Sequence, residues 1–138
     1  MSDRGSITFW TLGLAILMLG FGGLSVDLWR ALAAHSHAAA VADAAAVAAG
    51  SAIDVDHYRE TGEVLLDLSE VVSRVAATAS SQQGPGDPVV SVVTASDRST
   101  ATVEAVGEVE LGLLRILLPG EEPIVVRAAA DVIPVFVP

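Results

Sequence analysis

The chain opens with one long apolar stretch and ends with short alternating ones. Residues 7–26 carry no charged side chain, and about 20 such residues are enough to cross a bilayer as a helix. Helix formers continue beyond this stretch, with twelve alanines between Ala31 and Ala49. The pattern predicts one continuous rod over residues 7–49, about 60 Å long, with its first half in lipid.

A second helical pattern follows Tyr58. Apolar residues recur at intervals of three and four, with charged residues on the opposite face. This spacing predicts an amphipathic helix that ends near Ser80. Its apolar stripe comprises Leu65, Leu68, Val72, Val75 and Ala79.

The pattern changes to a period of two after the turn-forming sequence Gly84-Pro85-Gly86. Residues 89–95 are mostly β-branched, and apolar residues alternate with polar ones over residues 101–109 and again over 124–132. Three strands and two helices predict an α+β fold, in which an antiparallel sheet packs one face on helix.

The charged residues give the predicted segments an orientation. The net charge is −10, and residues 53–138 contain fourteen of the seventeen acidic residues. Arg4 precedes the span and Asp27 follows it, so the basic flank indicates that the N-terminus lies inside. We therefore expect a cytoplasmic leader (residues 1–6), a transmembrane helix (7–26), its external alanine-rich continuation (27–52) and an external acidic α+β domain (53–138).

Other classes of protein fit the composition less well. An acidic external region disfavours nucleic-acid binding, which needs clustered cations. The absence of cysteine excludes a disulfide, and a small domain without one needs help from the long helix or from neighbouring subunits. A retained anchor is favoured over a cleaved signal peptide, because Asp27 and Arg30 lie where a small-residue cleavage site would be. A secreted module released without about residues 1–33 is the remaining alternative.

Six residues on the rod are candidates for helix packing or assembly. Gly13 and Gly20 share a helix face and could admit a second helix at close range. Asp27 marks the water boundary, pairs with an arginine three residues later, or registers neighbouring subunits. Asp43 is an isolated acid on an alanine surface, and such an acid needs a hydrogen-bond donor when it is buried. We therefore predict that Asp43 makes an inter-helix or helix-to-domain hydrogen bond. The six residues are Gly13, Gly20, Gly23, Asp27, Arg30 and Asp43.

Several short motifs of the rod together resemble the N-terminal signature of the TadE/TadG-like proteins of tight-adherence (Flp) pilus assembly. These motifs are Arg4-Gly5-Ser6, the apolar span, Gly23-Leu24-x-Val26-Asp27-x-x-Arg30 and Ala42-Asp43-Ala44-Ala45-Ala46. The resemblance implies a pilin-like domain and a bacterial inner-membrane minor pilin or pseudopilin, acting in a pilus or secretion system. The implied partners are lipid, other pilin-like subunits in homo- or hetero-oligomers and the assembly platform. A permanently anchored scaffold factor is the alternative.

The resemblance also implies a processing site. A prepilin peptidase that cuts after glycine would act between Gly5 and Ser6. The fifth residue after that bond is Trp10, where pilins usually have glutamate, so pilin-style registration through that acid is not implied.

The most apolar external segment is residues 111–118. It is predicted either to pack in the core or to contact a partner subunit or the membrane face, with Leu113, Leu114 and Leu117 as the contact residues.

No motif for catalysis, a cofactor or a metal is found. His35 and His37 lie about 200° apart on a helix and are interpreted as solvated, and Asp54 to His57 lacks the glycine and further ligands of a calcium loop. Asp54 is instead expected to start a helix. The sequence indicates a structural protein without a cofactor or metal, and not an enzyme.

Overall fold

A computed structural model describes residues 4–94, 97–112, 120 and 122–134, with side chains from Ile7 onward other than that of Thr94. The helices are α1 (Arg4–Gly50), α2 (Val55–Thr61) and α3 (Leu68–Ser81). The strands are β1 (Val89–Thr94), β2 (Ala101–Val109) and β3 (Ile124–Val132). The predicted α+β fold, with one long apolar helix and a three-stranded antiparallel sheet, is confirmed.

The sheet follows the order β1-β2-β3, with both pairs antiparallel. In the central strand, side chains alternate between a buried face and a less buried one. Val103 lies opposite Val92 on one side and Ala130 on the other. The buried face of this strand packs against α1, so that face of the sheet is covered by helix.

The second half of α1 supplies one wall of the core. Its buried apolar side chains recur at helical spacing and are Ala34, Ala38, Val41, Ala42, Ala45, Ala46 and Ala49. Small side chains let the helix approach the sheet closely, as where Ala38 and Ala42 pack against Ala105. Residues on both sides of residue 52 share one core, so the long helix packs into the small domain; the need of that domain for the helix or for neighbouring subunits stays a prediction.

The predicted amphipathic helix was wrong in its start, and its predicted apolar stripe was right for Val75 but wrong for Leu68 and Val72. Gly62 adopts a left-handed conformation and ends α2, and Asp67 then caps α3 through the backbone N–H groups of Ser69 and Glu70. Leu65 lies in the extended connection between the two helices.

The buried residues of α3 are Val71 and Val75, whereas Leu68 and Val72 are exposed. Because Leu65 lies outside the helix, packing against α1 and β1 buries a face that is rotated from the predicted stripe. The predicted end near Ser80 agrees with the observed end at Ser81.

The glycine-rich connection between α3 and β1 packs against α1. Gly86 has a φ of +82°, and a Cβ atom there would lie 3.2 Å from the Cβ of Ala34. The backbone N–H of Glu108 donates to the carbonyl oxygen of Gly86 at 3.3 Å. The predicted linker is therefore a fixed cover over one end of the helix and sheet.

Candidate functional site

The first half of α1 is apolar and lies outside the core. In the described part of the chain, α1 is the one helix long and apolar enough to cross a membrane, and the window that meets this criterion is only 6% buried. A core helix of a soluble domain would be largely buried instead. The exposed large side chains include Phe9, Trp10, Leu14, Leu17, Phe21, Leu28 and Trp29.

Two of the predicted packing glycines are open to a neighbour. A Cβ atom at Gly13 or Gly20 would meet nothing within 4 Å. Gly23 is buried within the chain. A role for Gly13 and Gly20 in helix packing stays a prediction.

The Asp27 side chain is buried and accepts a hydrogen bond from a residue far along the same chain. It is 1% exposed, and its Oδ1 accepts the backbone N–H of Gly112 at 2.9 Å. The predicted pair with Arg30 is present but long, with Nη1 at 3.9 Å from Oδ1. Gly112 leaves room for this arrangement, since a Cβ atom there would lie 2.5 Å from Nη1 of Arg30.

Sequence reasoning missed this contact. Gly112 follows Asp27 by 85 residues, and no local pattern links the two. The one available signal was a glycine within an otherwise apolar run.

Asp43 behaves differently from Asp27. It is exposed and makes no hydrogen bond or ion pair with the described residues, so none of them supplies the predicted helix-to-domain hydrogen bond. Exposure to water satisfies the carboxylate instead. The alternative, a hydrogen bond to another helix, stays a prediction.

Asp43 lies at an open groove of about 650 Å³ between α1 and β3. The groove residues are Asp43, Ala46, Val47, Gly50, Ser51, Ala130, Asp131, Val132 and Ile133. The groove thus combines two carboxylates with apolar walls.

The interpretation of both rod histidines as solvated was wrong for His37. Its Nε2 is buried and has no hydrogen-bond partner among the described residues, and a Cβ atom at Gly84 would overlap the imidazole ring. The glycine-rich connection therefore packs against the ring, while the residue as a whole is partly exposed. His35 is exposed, as expected.

The other residues singled out from the sequence lie partly inside and partly outside the described ranges. Asp54 caps α2 by accepting the backbone N–H of His57 at 3.0 Å, as predicted. Within the described ranges no three acidic or histidine side chains form a possible metal site. Gly5 and Ser6 lie in the first turn of α1. Leu113, Leu114 and Leu117 lie outside the described residues.

Comparison with known proteins gives a match to the region of the long helix α1. A family model described as "Putative Flp pilus-assembly TadE/G-like" matches residues 5–52, which include the apolar half of α1 and its core-packed half. No curated protein and no solved structure gave a significant match. Over residues 5–52, the chain is therefore similar to the TadE/G-like proteins of Flp pilus assembly.

Proposed function

We propose that this protein is a single-pass, membrane-anchored minor pilin-like subunit of a Flp-type pilus or secretion system, with its N-terminus inside and its domain outside. It acts as a structural component and not as an enzyme. Its partners are lipid, other pilin-like subunits in homo- or hetero-oligomers and the platform proteins that assemble them.

One observation carries the proposal: a single helix is exposed and apolar in its first half and packed into a domain in its second half. Its continuity joins the anchor to the domain without a flexible linker, so force or displacement at one end is transmitted to the other. The same exposed apolar face is stable in lipid or against equivalent helices, and a subunit that moves between membrane and filament needs both environments.

The contacts at the membrane end support a retained anchor over a released module. The buried carboxylate of Asp27 accepts a hydrogen bond from Gly112 of the external domain. Cleavage near residue 33 would remove Asp27 together with this contact and would leave the domain without part of its packing.

A permanently anchored scaffold factor is the second candidate. It is favoured by Trp10, which occupies the position where the family resemblance leads one to expect the glutamate of a pilin. Prepilin peptidase would cut a subunit between Gly5 and Ser6, whereas a scaffold need not be processed.

Membrane retention can be tested with two matched arginine substitutions. Leu17 and Val72 are exposed to similar degrees, 54% and 58%, but only Leu17 lies in the apolar half of α1. An arginine at the centre of a spanning helix costs about 2.5 to 3.5 kcal/mol in insertion. We expect Leu17→Arg to move the full chain out of the membrane fraction and Val72→Arg to leave it there; equal membrane recovery of both would refute the anchor.

The two candidates differ in where the protein is found. Sheared surface appendages should contain the chain if it is a subunit, and mass spectrometry of that fraction gives both its presence and its mature N-terminus. Recovery only from the membrane, with an intact N-terminus, would establish the scaffold in place of the subunit.

A further inference from the structure

Two tryptophans bracket the apolar half of α1. Trp10 and Trp29 are 78% and 73% exposed, and tryptophan is enriched at both interfaces of a membrane. The two positions are 19 residues apart, which corresponds to about 28 Å of helix, close to the hydrocarbon thickness of about 30 Å. If α1 spans a membrane, its outer boundary therefore lies close to Trp29.

The backbone of the external domain reaches that boundary. Gly112 donates to the carboxylate of Asp27, which lies two residues, or about 3 Å, on the membrane side of Trp29. Helical side chains also lean toward the helix N-terminus. Gly112 therefore lies within a few Å of the plane where the hydrocarbon meets the outer headgroup layer, which is about 5 to 7 Å thick.

The burial of Asp27 has a physical reason at this depth. A carboxylate facing lipid is costly, whereas this one receives a backbone N–H and lies near the guanidinium of Arg30. The Arg30 side chain is itself 56% exposed and is long enough to extend toward lipid phosphates. Leu111, beside Gly112, adds an apolar side chain that is only partly buried.

We propose that the external domain contacts the outer headgroup layer of its own membrane at Leu111, Gly112 and Arg30, and that Asp27 is the positioning residue that holds this contact. The ligand is a phospholipid surface. The contact rests on the membrane anchoring proposed above and fixes how far the domain stands from the bilayer.

Single cysteines can test the contact, because the chain contains none of its own. Full-length Leu17→Cys, Leu111→Cys and Val72→Cys would each carry an environment-sensitive NBD fluorophore in vesicles of phosphatidylethanolamine and phosphatidylglycerol. We expect blue-shifted emission and quenching by doxyl-labelled lipid at Leu17 and Leu111. The probe at Val72, on the exposed face of α3, should remain water-like.

The pattern of quenching separates the lipid contact from the anchor. Quenching at Leu17 without quenching at Leu111 would overturn the lipid contact and leave the anchor intact. A blue shift at Leu111 without lipid quenching would mean that protein covers it, which also overturns the proposal. A water-like probe at Leu17 would overturn the anchor, and the lipid contact with it.

The role of Asp27 has its own pair of variants. In the Leu111→Cys protein, Asp27→Ala should lower the lipid quenching several-fold, because no acceptor remains for the N–H of Gly112. Asp27→Asn keeps a carbonyl acceptor and should preserve the quenching. Unchanged quenching in Asp27→Ala, with the Leu17 probe still quenched, would overturn the positioning role.

Discussion

Val71 and Val72 are neighbours in the chain with opposite surroundings. Val71 is 0% exposed in the core formed by α1, α3 and the sheet, whereas Val72 is 58% exposed. Val71→Ala removes the equivalent of two buried methylene groups at about 0.8 kcal/mol each and leaves a cavity. We expect it to lower the free energy of unfolding by about 2 kcal/mol, and Val72→Ala to change it by no more than about 0.5 kcal/mol.

Urea unfolding of the full chain in detergent micelles, followed by far-UV circular dichroism, measures both values. With an m-value of about 1 to 3 kcal/mol per molar urea, the Val71→Ala midpoint should fall by about 1 M. Unchanged m-values would show that stability and not compactness has changed. The reasoning is refuted if Val72→Ala costs as much as Val71→Ala, since the predicted stripe through Val72 would then face the core.

Two further predictions concern the helix–sheet contact and the cap of α3. Ala38→Leu, which inserts volume where the helix meets Ala105, should destabilise the domain by about 1 to 3 kcal/mol, whereas Ala40→Leu on the exposed face should be nearly neutral in the same urea assay. The hydroxyl of Ser69, together with backbone N–H groups of the first turn, lowers the pKa of Asp67 below its ordinary 3.8. The stabilisation from this carboxylate is therefore complete at pH values above the ordinary pKa of 3.8. It is lost as the pH falls through the lower folded-state pKa. The stability difference between wild type and Asp67→Ala should shrink over that acidic range; a difference that stays constant under acid titration would contradict the assignment.

The elements with a strong local signal could be predicted from the sequence. An uncharged stretch followed by alanines predicts a long helix, and period-two alternation in residues 101–109 and 124–132 predicts two of the strands. These signals depend on side chains close together in the chain, where helix and strand geometry fix which of them share a face. The TadE/G-like character of residues 5–52 is likewise a property of contiguous residues.

The tertiary structure alone decided which partners those elements meet. Asp27 is held by Gly112, 85 residues later, and Gly84 packs against the ring of His37. The buried face of α3 is rotated from its predicted stripe because Gly62 and Asp67 interrupt the helix and α1 selects Val71. Local propensity determines an element, but its orientation depends on close packing between segments far apart in the chain, which no local pattern encodes.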